Sequence, residues 1–141
     1  MKSDIDALMK EKKLDALLVL GAAEHNPPMY FFTGGGHISE AVLVKKFGED
    51  PILFYNEMER DEAAKTGLQT RSKSIYSYQE LLKEAGGDVT MVEVLRFQHM
   101  LTDIGLTKGR VAIYGNKDIG SAYGLMTKLQ GIMPDLQIIG E

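Results

Sequence analysis

Apolar and polar positions alternate along the chain in blocks that read as helices and strands by turns. Residues 3–12 place Ile5, Leu8 and Met9 on one face at helical spacing, with Ser3 as a candidate cap. Lys10, Lys12 and Lys13 then stand near the negative end of that helix. After Asp15, residues 16–20 are five consecutive apolar residues ending at Gly21, the pattern of a strand buried on both faces. Residues 21–28 form a polar loop closed by Pro27 and Pro28, which restrict Asn26 to an extended backbone. Residues 29–33 are strongly apolar but short, and Gly34, Gly35 and Gly36 then interrupt regular structure.

Residues 41–45 and 52–55 are two apolar runs around Gly48, Glu49, Asp50 and Pro51, which predicts a hairpin. Asn56 caps a charged helix over 57–66, stopped by Gly67, and residues 69–76 alternate weakly as an edge strand. A short helix over 77–85 ends at Gly86. Asp88 opens a longer helix whose inner face is Met91, Val94, Leu95, Gln98, Leu101 and Ile104. A strand at 111–114 follows. Ser121 then caps a helix with Ala122, Leu125, Met126, Leu129, Ile132 and Met133 inward, and residues 136–139 are the last strand. The alternation predicts an α/β fold: a mixed, mostly parallel sheet with a central hairpin and helices on both faces. No repeat, low-complexity stretch or linker composition divides residues 1–141, so one domain is expected.

Composition narrows the chemistry. With 141 residues the chain can bury roughly 70% of its unfolded surface without staples. It has no Cys, which excludes disulfides, thiolate metal sites and a Cys nucleophile. Twenty acidic against sixteen basic residues give a net charge of -4 and argue against a nucleic-acid or anionic-membrane partner. The apolar runs are too short to span a bilayer and no signal-peptide pattern opens the chain, so a cytoplasmic location is expected.

Several segments carry candidate chemistry. Residues 115–121 have glycine spacing like a phosphate loop between strand and helix, but Ser121 and Ala122 stand where Lys and Ser or Thr are needed, so they read as an ordinary connection. Gly34, Gly35 and Gly36 suit a close backbone approach or a hinge. His25, His37 and His99 lack the one-turn spacing of a metal pair. His99 reads as a partly exposed helical residue satisfied by a neighbour. His37, with Ser39 and Glu40 behind it, reads first as part of a solvated loop; the alternative is an imidazole and a carboxylate presented together for substrate contact. Glu57, Glu59, Asp61 and Glu62, interleaved with Arg60 and Lys65, read as a solvated helix face. The residues alone define no self-sufficient catalytic site.

Four stretches together resemble the N-terminal domain of the creatinase, prolidase and Xaa-Pro aminopeptidase family. Residues 14–19 are similar to its first strand. Residues 26–34 are similar to its Asn…Tyr-Leu-Thr-Gly signature through Asn26, Tyr30, Thr33 and Gly34, with Phe32 in the Leu place. Residues 51–54, followed by the acidic helix with Glu59, Ala63 and Ala64, and residues 109–113 are similar to later strands and a helix of the family. The resemblance implies the front part of a two-domain hydrolase whose C-terminal catalytic domain has the pita-bread fold. In the peptidases that domain holds two divalent ions (manganese, cobalt or zinc) with Asp, Asp, His, Glu and Glu. It also implies that this chain supplies no catalytic or metal-binding residue, supports a homodimer and narrows access to the active site. In several prolidases a His-Glu-Arg run after the signature reaches the partner subunit's active site. Here His37 and Glu40 are not adjacent and no Arg follows, which leaves His37, with Glu40, as the residues to line the partner's cleft in trans. A creatinase-like amidinohydrolase shares this domain, and a free-standing protein-binding module is the alternative from another class.

Overall fold

The apolar run after Asp15 forms β1 (Ala16–Gly21), which sits in the middle of a six-stranded sheet because both of its faces need cover. A computed structural model of the protein describes residues 2–140, with side chains from residue 4. The elements in chain order are α1 (Lys2–Lys12), β1, α2 (Pro27–Thr33), β2 (Ala41–Lys46), β3 (Ile52–Tyr55), α3 (Arg60–Lys65), β4 (Gln69–Ser72), α4 (Tyr78–Glu84), α5 (Val92–Asp103), β5 (Gly109–Gly115), α6 (Ile119–Ile132) and β6 (Leu136–Gly140). The cap expected at Ser3 lies outside the described side chains.

The strand order is β4-β3-β2-β1-β5-β6. β1 pairs antiparallel with β2, and β2 with β3, whereas β1/β5, β3/β4 and β5/β6 are parallel. Only β2 runs against the other five strands. The expected hairpin is present, and the sheet is mixed with a parallel majority.

Alternate residues of each strand serve opposite layers. Ala16, Leu18, Leu20, Val42, Val44, Phe54 and Val111 pack with Val94, Phe97, Met100 and Leu101 of α5 and Leu125, Met126 and Leu129 of α6. On the other face Val19, Leu43, Leu53 and Tyr55 pack with Met29 of α2, Ile38 and Ala63 of α3, while Leu17 and Ala112 pack with Met9 of α1. The last two residues of β2 reach opposite layers. Lys45 is 1% exposed, opposite Leu17 in register, and its Nζ donates to Asp6 Oδ1 of α1 at 2.7 Å. Lys46 Nζ donates to the Ile104 carbonyl at the end of α5 at 2.7 Å, where a cation complements the helix dipole.

Several boundaries differ from the sequence reading, each for a local reason. Residues 27–33 are helical: the prolines occupy the first turn, where a missing N–H costs nothing, and Gly34 ends the helix at φ 78°. The edge strand stops at Ser72 because residues 73–75 turn into a 3₁₀ helix. Asn56 makes no side-chain cap, and a 3₁₀ turn at 57–59 precedes α3. Asp88 does cap, but its turn is 3₁₀ and α5 starts at Val92. The buried side of α5 includes Phe97 and Met100 and omits Leu95, a rotation from the expected face. Asp118, not Ser121, caps α6, accepting from the Ser121 N–H at 2.9 Å.

At the outer edge, Gln130 of α6 reaches β6. Its Oε1 accepts from the Ile138 N–H at 2.9 Å, and its Nε2 donates to the Leu136 carbonyl.

Candidate functional site

The carboxyl end of β1 is closed by two asparagines. Asn26 is buried and its Nδ2 donates to the Leu20 carbonyl at 2.8 Å, which also accepts from the Asn116 N–H at 3.1 Å. Asn116 Nδ2 donates in turn to the His25 carbonyl at 3.3 Å. The turns after β1 and β5 are thereby tied together, and α2 leaves from a fixed point. The Asn26 carbonyl accepts from the Tyr30 N–H at 2.9 Å.

The other three residues of the expected signature finish α2 and aim the loop after it. Thr33 Oγ1 donates to the Met29 carbonyl at 2.8 Å and accepts from the Gly35 N–H at 3.3 Å. Gly34 donates its N–H to the Tyr30 carbonyl. Tyr30 is 59% exposed, and its ring lies against Gly35, where a Cβ would stand 2.4 Å from Tyr30 Cε2. Gly35 also has φ 88°, so the close approach and the backbone both demand glycine.

The peptide joining Ile38 and Ser39 is then held from both sides. Ile38 is buried and its carbonyl accepts from the Ala23 N–H at 3.0 Å; the Ser39 N–H donates to Glu59 Oε2 at 2.8 Å. His37, the residue before that peptide's Ile38, stays exposed. The result is an open cleft of about 690 Å³ lined by His25, Tyr30, His37, Ser39 and Glu59, with Glu24 at its rim. Glu62 stands beside Gly36. Its carboxyl is held below the ordinary carboxylate range by the hydrogen bond from Lys65, helped by the His37 N–H.

The structure brings Tyr30 and His37 into one cleft but places Glu40 at another, lined also by Asn56, Lys73 and Arg96. Glu40 Oε1 lies 3.5 Å from Lys117 Nζ. His99 is remote from both histidines of the first cleft and meets Glu84 Oε2 at 2.8 Å. The acidic segment is more than a solvated face. Glu57 accepts from Ser72 Oγ and Ser74 Oγ and pairs with Arg60, and Glu59 holds the His37 loop. Spacing flagged Glu59 only as one of four acids; its partner is 20 residues away in sequence. Asp61 is exposed, and Glu62 pairs with Lys65 one turn on.

Among the described residues, no group of three or more His, Asp or Glu side chains is gathered to hold a metal ion. Among the described residues no helix is long and apolar enough to cross a membrane.

No family model matches the sequence, and no curated protein matches it. Solved structures do match the fold. The X-Pro aminopeptidase of Thermotoga maritima superposes with a TM-score of 0.63 at 15% identity, covering 99% of this chain and 33% of that one. The creatinase/prolidase N-terminal domain of an X-Pro dipeptidase from Streptococcus pyogenes gives 0.61 at 12% identity, covering 99% of this chain and 91% of the domain. The corresponding domain of a metallopeptidase from Corynebacterium diphtheriae gives 0.62 at 14%, with 99% and 92% covered. This chain therefore spans about a third of the Thermotoga enzyme and nearly all of the two separate domains. Its six strands and flanking helices have the fold of a creatinase/prolidase N-terminal domain.

Proposed function

We propose that this chain is the non-catalytic N-terminal domain of a proline-directed metallopeptidase, an Xaa-Pro dipeptidase or aminopeptidase. It serves subunit assembly and access to an active site carried elsewhere. One observation carries the reading: 99% of the chain is matched by domains that account for 91% and 92% of the Streptococcus and Corynebacterium structures. The expected parent is a cytoplasmic homodimer whose catalytic domain binds a divalent metal, manganese, cobalt or zinc. In that assembly the loop of residues 34–40 faces the partner's active site. His37 meets the substrate, and Tyr30 and Glu59 keep the loop in place. The held Ile38–Ser39 peptide supports this reading, because it leaves an exposed imidazole on the residue next to it. Glu40 contributes from the neighbouring cleft.

The test is to express the reading frame that continues past Glu141 and compare it with the 141-residue chain on Xaa-Pro dipeptides, with and without added manganese. Hydrolysis by the longer protein alone is expected. Hydrolysis by the short chain, or a reading frame that stops at Glu141, overturns the proposal. Turnover of creatine by the longer protein replaces it with the amidinohydrolase reading.

A further inference from the structure

All the sulfur of this chain is in methionine: the sequence has eight Met and no Cys, so no thiol competes for an oxidant. The structure sorts the described methionines sharply. Met9, Met29, Met100, Met126 and Met133 are buried, none more than 7% exposed, and Met91 is half-buried. Met58 is 99% exposed. A buried thioether meets a dissolved oxidant only when the structure opens, whereas an exposed one meets it at every encounter.

Local anchoring explains how an apolar side chain comes to stand in solvent. Met58 is the middle residue of the 3₁₀ turn at 57–59. On one side of it, Glu57 accepts from Ser72 Oγ and Ser74 Oγ and pairs with Arg60. On the other, Glu59 Oε2 accepts from the Ser39 N–H at 2.8 Å, and the Glu59 N–H donates to the Asn56 carbonyl at 2.8 Å. Both neighbours of Met58 are thus tied to distant loops, and the thioether is left outward. Glu59 lines the His37 cleft and Glu57 lines the Glu40 cleft, so Met58 stands on the segment that joins them.

We propose that Met58 is a reversible oxidation site for hydrogen peroxide. The thioether sulfur attacks one peroxide oxygen and the O–O bond breaks. The departing hydroxide takes the proton from the transferred oxygen and leaves as water. The sulfur is oxidised by two electrons to the sulfoxide, and the peroxide is reduced. Hydrogen peroxide is neutral, so the neighbouring carboxylates of Glu57, Glu59 and Asp61 do not repel it. The Met58 side chain is packed against nothing, so its conversion costs the fold no apolar contact. What changes is chemical: a flexible apolar tip between two clefts becomes a polar, chiral group with a strong acceptor oxygen. A methionine sulfoxide reductase reverses the step with electrons from a thiol. The inference holds whether or not the parent protein is a peptidase.

The experiment treats the 141-residue protein with dilute hydrogen peroxide at neutral pH and follows each methionine by peptide mass after trypsin. Cleavage after Lys and Arg puts every methionine in a separate peptide, with Met58 in residues 47–60. Met58 should gain one oxygen about tenfold or more faster than each of the six other described methionines. In urea the seven rates should converge, and a methionine sulfoxide reductase should remove the added oxygen from the folded protein. The melting temperature should be unchanged once Met58 is converted, and equal to that of Met58→Leu treated alike. Another described methionine oxidised as fast as Met58 in the folded chain, a selectivity that survives in urea, or a melting temperature that falls in the parent and not in Met58→Leu would each overturn the assignment.

Discussion

Lys45 in β2 and Asp6 in α1 are joined across 39 positions of sequence by a 2.7 Å hydrogen bond, with the lysine sealed in the interior. The carboxylate also accepts from the Gly48 N–H at 2.9 Å, so one side chain holds both the end of β2 and the turn after it. The pair works by geometry: a cation in an apolar layer requires an acceptor, and α1 brings one.

Removing one partner should therefore cost more than removing the charge. Asp6→Ala leaves the Lys45 ammonium buried beside a single backbone carbonyl and should lose about 3 kcal/mol in urea unfolding. Lys45→Met fills the same space without a charge and should lose clearly less. A larger loss for Lys45→Met than for Asp6→Ala would contradict the account.

The rotation of α5 is separable by two truncations. Phe97 is buried against the sheet, whereas Leu95 is only partly covered. Phe97→Ala should lose about 3–5 kcal/mol and Leu95→Ala under about 1 kcal/mol. Equal losses would mean that the helix presents the other face.

The start of α6 depends on Asp118. Asp118→Ala should lower the melting temperature by roughly 3–5 °C and Ser121→Ala by clearly less, because Ser121→Ala keeps the main donor to the cap, the backbone N–H of residue 121, and removes only the hydroxyl beside it. The reverse order would restore Ser121 as the cap.

Acid sensitivity follows from the same group. The Asp118 carboxyl lies below its ordinary value of 3.8, chiefly through the Ser121 N–H, and Asp88 lies below it through the Thr90 hydroxyl and N–H. A carboxyl lowered by folding adds stability above its unfolded value and loses it as pH falls through its folded one. Urea midpoints should be insensitive to these two groups near neutrality and drop below about pH 4. The double variant Asp118→Asn with Asp88→Asn should show a shallower drop; an identical acid limb would remove both groups from the explanation.

In a full-length enzyme, His37→Ala should raise KM or lower kcat on Xaa-Pro substrates at least several-fold. It should leave the melting temperature unchanged, because the side chain is exposed and the loop is anchored by backbone groups. Unchanged kinetics would remove His37 from the site.

Much of the sheet was legible because its signals are local. Residues 16–20 announce a buried strand in five letters, and the Gly-Glu-Asp-Pro turn announces the hairpin. α2 was hidden because two prolines and seven residues suggest a loop; its helicity comes from Asn26, Thr33 and a buried Met29 acting together. The phase of α5 was hidden because apolar residues nearly encircle its middle, and only the sheet decides which of them it takes. Glu59 has no local signal of its anchoring role. It acquires that role from a loop 20 residues away in sequence, so an acid in a charged run looks ordinary until the chain is folded.

Gln130 bears on how the sheet ends. By accepting from one peptide of β6 and donating to another, its amide imitates the neighbouring strand that β6 lacks. A side chain so placed acts as a stop codon in hydrogen bonds. The row of strands is terminated from within, and a crowded solution of newly made chains finds this margin already answered.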